Sequence, residues 1–148
     1  MSKPAWHPHL TVAAIIEREG KFLCVEEHPR HNNVINQPAG HVDAGESLIN
    51  AVRREVLEET GFAFVPEYVV GLYYFTGTNG VTYLRICFSG AIERQLHPGP
   101  VDPEITRIHW LSADEIEHQN LRSPLVLNCL NDYRAGQHYP LQLIDDHV

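Results

Sequence analysis

The sequence predicts an α/β domain, and three observations support this prediction. The segment Ser47–Thr60 contains neither Pro nor Gly and is followed by Gly61, which suits a left-handed helix cap. Five runs of β-branched and apolar residues indicate strands, and two of them flank Asn79-Gly80, a strong hairpin signal. Ser123-Pro124 is typical of a helix start, so a second long helix is expected after it.

The composition fits a single domain covering residues 1–148 with a sizeable core, because 43% of the residues are hydrophobic. The formal net charge of -8 argues against a protein that binds duplex nucleic acid. We expect no membrane association, because no apolar run approaches the ~20 residues of a membrane span and the N-terminus lacks a signal-peptide apolar region. Three widely spaced cysteines favour reduced thiols and a cytoplasmic location.

The first two strands are predicted at Leu10–Ile16 and Phe22–Val25, joined by the polar turn Glu17–Gly20 as a hairpin. Both are continuous apolar runs, which indicates strands covered on both faces. Cys24 lies within the second run. It is predicted to be a core residue rather than a nucleophile, because no basic neighbour would stabilise its thiolate.

The polar segment Glu26–Asn33 contains Pro29 and is predicted to be a surface loop. His28 and His31 lie three residues apart in it and could pair on a metal ion. Neither a helical pattern nor a nearby cysteine supports such a site, so an ordinary loop is expected.

The helix Ser47–Thr60 carries three acids, Glu55, Glu58 and Glu59, at spacing i, i+3, i+4. At this spacing they share an arc of roughly 100°. The apolar stripe of the same helix overlaps this arc in part, so the carboxylates lie at the edge of the buried face rather than on the far solvent face.

Three like charges this close repel one another, and a divalent cation would remove the conflict. Carboxylate oxygens are hard ligands that suit Mg²⁺ or Mn²⁺, and such ions also bind phosphate oxygens. The acids therefore indicate metal-dependent phosphate chemistry. The alternative is a solvated acidic helix face without a ligand, which is what most charge runs are.

The strands Tyr68–Thr76 and Val81–Ile92 form the hairpin around Asn79-Gly80, and alternation places Tyr83 and Arg85 on one face of the second strand. Arg85 could meet a substrate phosphate or base, with an ion pair at the strand edge as the alternative. Tyr83 could stack on a base, although aromatic residues in strands are usually core.

The stretch from Gly40 to Phe62 resembles the defining motif of the Nudix hydrolase family. The matching positions are Gly40, Glu46, Arg54-Glu55-Val56, Glu58-Glu59 and Gly61-Phe62. The resemblance implies an α/β/α sandwich, with a mixed, curved sheet between the motif helix and the helix after Ser123. It also implies an enzyme that hydrolyses a diphosphate linked to another group.

The resemblance further implies a role for each motif residue. Glu55, Glu58, Glu59 and the carbonyl of Gly40 would hold two or more Mg²⁺ ions, which Mn²⁺ can replace. Arg54 would pair with an acid of the motif, with Glu46 as the candidate partner, and so support the loop.

One further acid is implied outside the motif. Nudix proteins often place an acid six residues before a tryptophan, and Glu104 stands in that position before Trp110 and the predicted strand Ile105–Leu111. Glu104 would be an additional metal ligand or a base, with an exposed loop acid as the alternative. Which of Glu55, Glu58 and Glu104 takes the proton of the attacking water stays open.

Three other segments resemble the NudJ-type branch of the family: Asn36–His41, in which Ala39 replaces a glycine common in Nudix proteins, Leu121–Val126 and Tyr139–Leu141. This resemblance implies a broad-range phosphatase that acts on nucleoside di- and triphosphates and on the thiamine precursor diphosphate. Arg122 joins Tyr83 and Arg85 as a candidate substrate contact.

Two other functions stay open beside this interpretation. The chain could be a selective Nudix pyrophosphatase for another nucleotide derivative. It could instead be a non-catalytic nucleotide-binding module, although lost catalysis normally shows as a broken Glu-x-x-Glu-Glu, which is intact here. In each case the partner is a small phosphate compound, and the protein is expected to be a monomer or a homodimer.

Overall fold

The computed structural model describes residues 2–27 and 33–148, so the predicted loop histidines His28 and His31 lie outside the described residues. The strands, in chain order, are β1 (His9–Ile15), β2 (Glu17–Arg18), β3 (Lys21–Glu27), β4 (Ile35–Asn36), β5 (Ala39–His41), β6 (Phe62–Thr76), β7 (Thr82–Gln95), β8 (Ile105–Leu111) and β9 (Tyr139–Pro140). The helices are α1 (Leu48–Thr60), α2 (Ala113–Glu117), α3 (Leu125–Arg134) and a short 3-10 helix (Leu141–Leu143).

The larger sheet has the strand order β5-β1-β7-β6-β9 and is mixed. Strands β1 and β7 run parallel, while β1 pairs with β5, and β6 with both β7 and β9, in antiparallel fashion. The long β6–β7 pairing contains three register shifts, at Phe62/Phe64, Pro66/Tyr68 and Val69/Gly71. Irregularities of this kind bend a strand and increase its twist.

Alternate residues of β1 enter two separate cores, as the pleat of a strand requires. Val12, Ala14 and Ile16 pack with the buried face of α1, whereas Ala13 and Ile15 pack with the buried face of α3. Both faces of the sheet are therefore covered by a helix. The predicted α/β/α sandwich is confirmed, and so is the apolar character of β1 on both of its faces.

A smaller sheet is built on β3, which pairs antiparallel with β2, β4 and β8. The hairpin predicted between the first two strands is therefore only partly right. Glu17 pairs with Phe22 across a turn at Glu19 and Gly20, both with positive φ, but β1 itself leaves to pair in the larger sheet. The strand direction changes near Ile16, and a continuous apolar run does not reveal such a change.

Helix α1 begins and ends where its sequence predicts. The Ser47 hydroxyl accepts a hydrogen bond from the Asn50 amide, and Gly61 adopts φ 83° while its amide donates to the Leu57 carbonyl. These two caps fix the length of the helix and therefore the direction in which its acidic residues point.

All three cysteines, Cys24, Cys87 and Cys129, are free and buried. Burial raises the pKa of the Cys24 thiol to about 12, which agrees with the prediction that this residue is part of the core. Among the described residues, none of the helices has the length and apolar character needed to cross a bilayer.

Candidate active site

Arg54 is the centre of a charged network at the start of the site. Its Nε donates to Glu46 Oε2 at 2.7 Å and its Nη2 donates to Glu46 Oε1 at 3.0 Å, which makes a bidentate pair. Its Nη1 donates to Glu55 Oε1 at 2.8 Å and to Glu58 Oε2 at 3.3 Å, and its Nη2 reaches the His41 carbonyl at 3.0 Å. The predicted pairing of Arg54 with Glu46 is present, and it ties the loop before α1 to the helix itself.

This network shifts the pKa of each of its strongest partners. Hydrogen bonds from Arg54 lower the pKa of Glu46, and the bonds to Glu46 raise the pKa of Arg54 in return. Both groups therefore stay charged across the whole physiological pH range. An ion pair that stays charged therefore holds the loop. The protonation of the acids on α1 itself can still change with pH.

Strand β5 passes directly against the carboxyl group of Glu55. A Cβ atom built on Gly40 would collide with all three atoms of that carboxyl group, so any larger residue here would displace the Glu55 carboxylate. Glu55 is only 7% exposed, and burial raises its pKa to about 7 against the opposing hydrogen bond of Arg54. Glu58 and Asp102 raise this pKa further through their negative charges.

Glu59 is also buried, at 6% exposure, and its Oε1 accepts a hydrogen bond from the Ala39 amide at 2.9 Å. Burial raises its pKa well above the usual range, and the charges of Glu55, Asp102 and Glu27 add to that effect. The site thus holds two neighbouring buried carboxylates whose ionised forms lack sufficient positive charge around them.

The donor set fits a divalent metal ion. In residues 2–27 and 33–148 no three acidic, histidine or cysteine side chains already converge as ligands, and Arg54 forms ion pairs with both Glu55 and Glu58. The available donors are nevertheless hard carboxylate oxygens beside a strand backbone that approaches without a side chain at Gly40. A cation there would supply the positive charge that Glu55 and Glu59 lack.

The loop before β8 brings a further acid to this site. The backbone amides of Val101 and Asp102 donate to the Glu58 carbonyl at 2.8 and 3.1 Å, so this loop is fixed to the end of α1. The negative charge of Asp102 acts on both Glu55 and Glu59. Glu104 is exposed at the start of β8, and its backbone amide donates to Asp102 Oδ1 at 2.9 Å.

Sequence reasoning selected Glu104 and passed over Asp102. The two acids are two residues apart in the same loop, and the distance to Trp110 favours Glu104. Asp102 approaches the helix acids because a loop amide bonds to a helix carbonyl, and a sequence pattern does not record that bond. The presence of a second acid in the loop was the available hint.

Arg85 lies on the α3 face of the larger sheet and is only 5% exposed. Its Nη2 donates to Asn36 Oδ1 at 3.2 Å and to Gln37 Oε1 at 3.1 Å, while Gln37 Nε2 donates to the Val126 carbonyl at 2.8 Å. This buried network takes the place of the strand-edge ion pair considered as the alternative. A substrate contact by Arg85 remains a prediction.

Tyr83 is partly exposed and lies among histidine rings beside β5. Its ring centroid is 5.6 Å from that of His9 and 6.4 Å from that of His41, and His9 Nδ1 and His41 Nε2 are hydrogen-bonded at 3.0 Å. By alternation along β7, Tyr83 lies on the same face of the sheet as Arg85, which is the face opposite to α1.

Arg122 lies in the segment between α2 and α3. Its backbone amide donates to the Ile35 carbonyl at 2.9 Å, and its Nε donates to Glu27 Oε2 at 3.1 Å. Its side chain is 44% exposed, in contrast to that of Arg85. The three predicted substrate residues thus differ in solvent exposure. Arg85 is buried, whereas Tyr83 and Arg122 are open to solvent to different degrees.

Comparisons with known proteins agree with this geometry. The NUDIX domain family matches residues 7–128. Phosphatase NudJ of Escherichia coli strain K12 is 41% identical over 140 residues, which cover 94% of this chain and 92% of that relative. Phosphatase NudJ of Shigella flexneri matches with the same identity and coverage. The resemblance to the NudJ-type branch is therefore confirmed.

Two solved structures extend the comparison. A NUDIX hydrolase from Nitrosomonas europaea superposes with a TM-score of 0.91 at 47% sequence identity, covering 95% of this chain and 98% of the other. A MutT NUDIX hydrolase from Burkholderia pseudomallei has a TM-score of 0.74 at 23% identity, covering 86% of this chain and 98% of the other. The second likeness supports the fold alone.

Proposed function

The chain belongs to the Nudix family of hydrolases, and from that premise we propose that it is a metal-dependent phosphatase of broad range. It hydrolyses phosphoanhydride bonds in nucleoside di- and triphosphates and in related diphosphates such as the thiamine precursor diphosphate. The observation that carries this proposal is a pair of buried carboxylates with raised pKa values, Glu55 against Gly40 and Glu59 bonded to the Ala39 amide.

The metal would be Mg²⁺, which Mn²⁺ can replace, held by Glu55, Glu58, Glu59 and the carbonyl of Gly40. When bound, such an ion neutralises anhydride oxygens and lowers the pKa of a coordinated water. The hard oxygen donors and the uncompensated negative charge on α1 support this assignment.

The remaining steps belong to side chains of the chain itself. Arg54 holds the loop through Glu46 and partly neutralises Glu55 and Glu58 before the site is loaded. Glu55 is one candidate for the base that accepts a proton from the attacking water. Glu58 and Glu104 are the other candidates for this base.

Broad range follows from how such a site would recognise its substrates. The diphosphate is common to all of them, and an apolar or stacking surface such as Tyr83 discriminates between the attached groups by only about 10- to 200-fold. The likeness to phosphatase NudJ supports this range. Three buried free thiols support a cytoplasmic location, and the protein is proposed to be a monomer or a homodimer.

Metal dependence is tested with adenosine diphosphate as substrate. Phosphate release should require Mg²⁺ or Mn²⁺ and stop when a chelator is added. Full activity in chelator would contradict the metal site. Binding of the nucleotide without turnover at any metal concentration would instead favour the non-catalytic module.

Substrate range is tested by kcat/KM over a panel of nucleoside diphosphates, nucleoside triphosphates and the thiamine precursor diphosphate. We expect the values to lie within about two orders of magnitude of one another. One compound about a thousand-fold above the rest would favour the selective pyrophosphatase.

A further inference from the structure

Strand β6 leaves part of its outer side without a neighbouring strand. In the order β5-β1-β7-β6-β9 it lies beside the short β9, which pairs only with Tyr68 and Val69. The carbonyl of the next residue, Val70, accepts a hydrogen bond from Gln137 Nε2 at 2.9 Å. From Gly71 to Thr76, β6 pairs with β7 on its inner side, and the described residues place no strand on its outer side. This end of β6 is therefore a free sheet edge.

The turn after β6 determines which backbone groups face outward. The Gly77 amide donates to the Val81 carbonyl at 2.9 Å, so these two residues are a hydrogen-bonded pair of the hairpin. Hydrogen-bonded and non-hydrogen-bonded pairs alternate along two antiparallel strands, and the register shows no shift between Gly71 and Thr76. The N–H and C=O groups of Leu72, Tyr74 and Thr76 therefore point away from β7 and are available to another strand.

The exposed side chains of this edge are uncharged. Leu72 is 61% exposed and Tyr74 is 66% exposed, and both lie on the same face of the strand by alternation. The sequence contains no charged residue from Tyr68 to Leu84, although the net charge of the chain is -8. Natural edge strands usually carry charges, prolines or bulges that prevent pairing with another chain, and none of these occurs between Gly71 and Thr76.

We propose that the edge Gly71–Thr76 pairs antiparallel with the same edge of a second copy, so that the protein forms a dimer with one continuous sheet. A two-fold axis at Tyr74 sets Tyr74 opposite itself and Leu72 opposite Thr76, and every outward backbone group of these three residues then finds a partner. The two Tyr74 rings form a cross-strand aromatic pair, which stabilises such a pairing further.

The charge distribution favours a second copy over a charged peptide as the partner. An uncharged edge offers no ion pair to a basic or an acidic peptide. Two identical chains of net charge -8 repel one another least where neither carries a charge, and the edge of β6 is such a place.

The proposed interface leaves the candidate active site open. Gly40 pairs with Val12, Val12 with Ile86 and Ile86 with Leu72, so these residues form one row across the larger sheet. Gly40 and Leu72 are the two ends of this row, with β1 and β7 between them. Dimer formation does not require hydrolysis, and the inference does not rest on the proposed function.

Sedimentation velocity over a range of protein concentrations tests the inference. The wild type should change from monomer to dimer with a dissociation constant between about 1 and 100 µM, as expected for a small interface. Tyr74→Pro should raise this constant at least about 30-fold, because proline removes an outward donor and the aromatic ring. The monomer should tolerate this proline, because the N–H of Tyr74 faces solvent there.

Two charge variants test the register. Tyr74→Lys and Tyr74→Glu should each stay monomeric over the same concentrations, because like charges face one another across the two-fold axis. An equal mixture of the two should form a dimer again, because opposite charges then meet. Leu143→Lys is the matched control, since Leu143 is an exposed leucine on the 3-10 helix and the change in net charge is the same. Its dissociation constant should equal that of the wild type.

Two results would overturn the inference. One is a wild type that stays monomeric up to about 500 µM, which would leave the edge to an extended peptide. The other is a dimer that survives Tyr74→Lys and Tyr74→Pro, or that Leu143→Lys weakens equally. A mixture of the two charge variants that does not associate would overturn the register centred on Tyr74.

Two further measurements separate this inference from folding and from the proposed function. Unchanged melting temperatures in the Tyr74 variants show that each monomer folds. Hydrolysis of adenosine diphosphate per protomer should be the same in the wild type and in Tyr74→Lys, because the edge lies apart from Gly40. If the wild type does not hydrolyse this compound, the proposed function fails while the sedimentation result still decides the dimer.

Discussion

The two faces of the larger sheet treat their buried polar groups in opposite ways. On the α3 face, Arg85 is bonded to two amide oxygens, and the Tyr73 hydroxyl donates to Asp132 Oδ2 at 2.8 Å. On the α1 face, Glu55 and Glu59 are buried close together and each raises the cost of ionising the site. On the α3 face each of these groups has a hydrogen-bond partner without a like charge beside it, whereas like charges are concentrated on the α1 face.

The difference is one of charge and not of missing hydrogen bonds. Among the described residues, every buried side-chain nitrogen and oxygen has a hydrogen-bond partner. The α1 face is therefore well bonded and still electrostatically unfavourable, which is an arrangement that a bound cation would reverse. The α3 face thus has the charge pattern of a structural network, whereas the α1 face has the pattern expected of the proposed ligand site.

The largest expected effect is loss of activity on the α1 face. Glu59→Gln and Glu58→Gln should each lower kcat by about 10²-fold or more, because each removes the charge of a proposed metal ligand. The melting temperature of the metal-free protein should hold or rise, because like-charge repulsion is relieved. Activity assays with Mg²⁺ and thermal denaturation in chelator measure the two effects.

Glu93→Gln serves as the control, because Glu93 is an exposed acid on β7 and not on α1. Its kcat should equal that of the wild type. A sharp fall in the metal-free melting temperature of Glu59→Gln would assign that residue to the stability of the fold instead.

The α1 face was largely predictable from the sequence because its determinants are local. Helix length follows from the caps at Ser47 and Gly61, and the common arc of Glu55, Glu58 and Glu59 follows from helical spacing alone. The pairing of Arg54 with Glu46 lies within the same short motif.

The network of Arg85 was not predictable, because its partners come from a distant part of the chain. Asn36 and Gln37 lie 49 and 48 residues away, and parallel pairing of β1 with β7 brings them together. The division into two sheets was not predicted for a related reason. The sequence indicates that β3 pairs with β1, whereas in the structure β3 pairs with β8. Long-range pairing of this kind leaves no periodic trace in the sequence.

Substitution of the two acids in the loop before β8, Asp102 and Glu104, tests whether this loop belongs to the site on the α1 face. Glu104→Gln should lower the rate by roughly 10- to 10³-fold, within the range for a base or ligand, with little change in substrate affinity. Asp102→Asn should lower the pKa of Glu55 and Glu59 in the metal-free protein, because the charge of Asp102 raises both pKa values, and carboxylate titration in chelator measures this change. An unaltered rate at every pH for Glu104→Gln would assign Glu104 to the surface.

On the α3 face the expected effect is on stability. Arg85→Met leaves the side-chain oxygens of Asn36 and Gln37 without their donor, which should lower the free energy of unfolding by about 1–3 kcal/mol. Urea denaturation of both proteins measures this difference through the midpoint at equal m-value. An unchanged midpoint would show that the amide oxygens find other donors and that the α3 face does not depend on this cation.

The smallest expected effect is the pH dependence of stability in the metal-free protein. Burial raises the pKa of Glu55 to about 7 from the 4.5 of an unperturbed glutamate, so the folded state binds this proton more tightly than the unfolded state. The resulting stabilisation is fully present below about pH 4.5 and is lost as the pH rises through 7.

Melting temperatures in chelator should therefore fall over this interval in the wild type and fall less in Glu55→Gln. Equal slopes would contradict the raised pKa. The pKa of about 7 already includes the opposing effect of Arg54, so this difference between the slopes is a net effect. Saturating Mg²⁺ should remove it, since a cation stabilises the ionised carboxylate that burial disfavours.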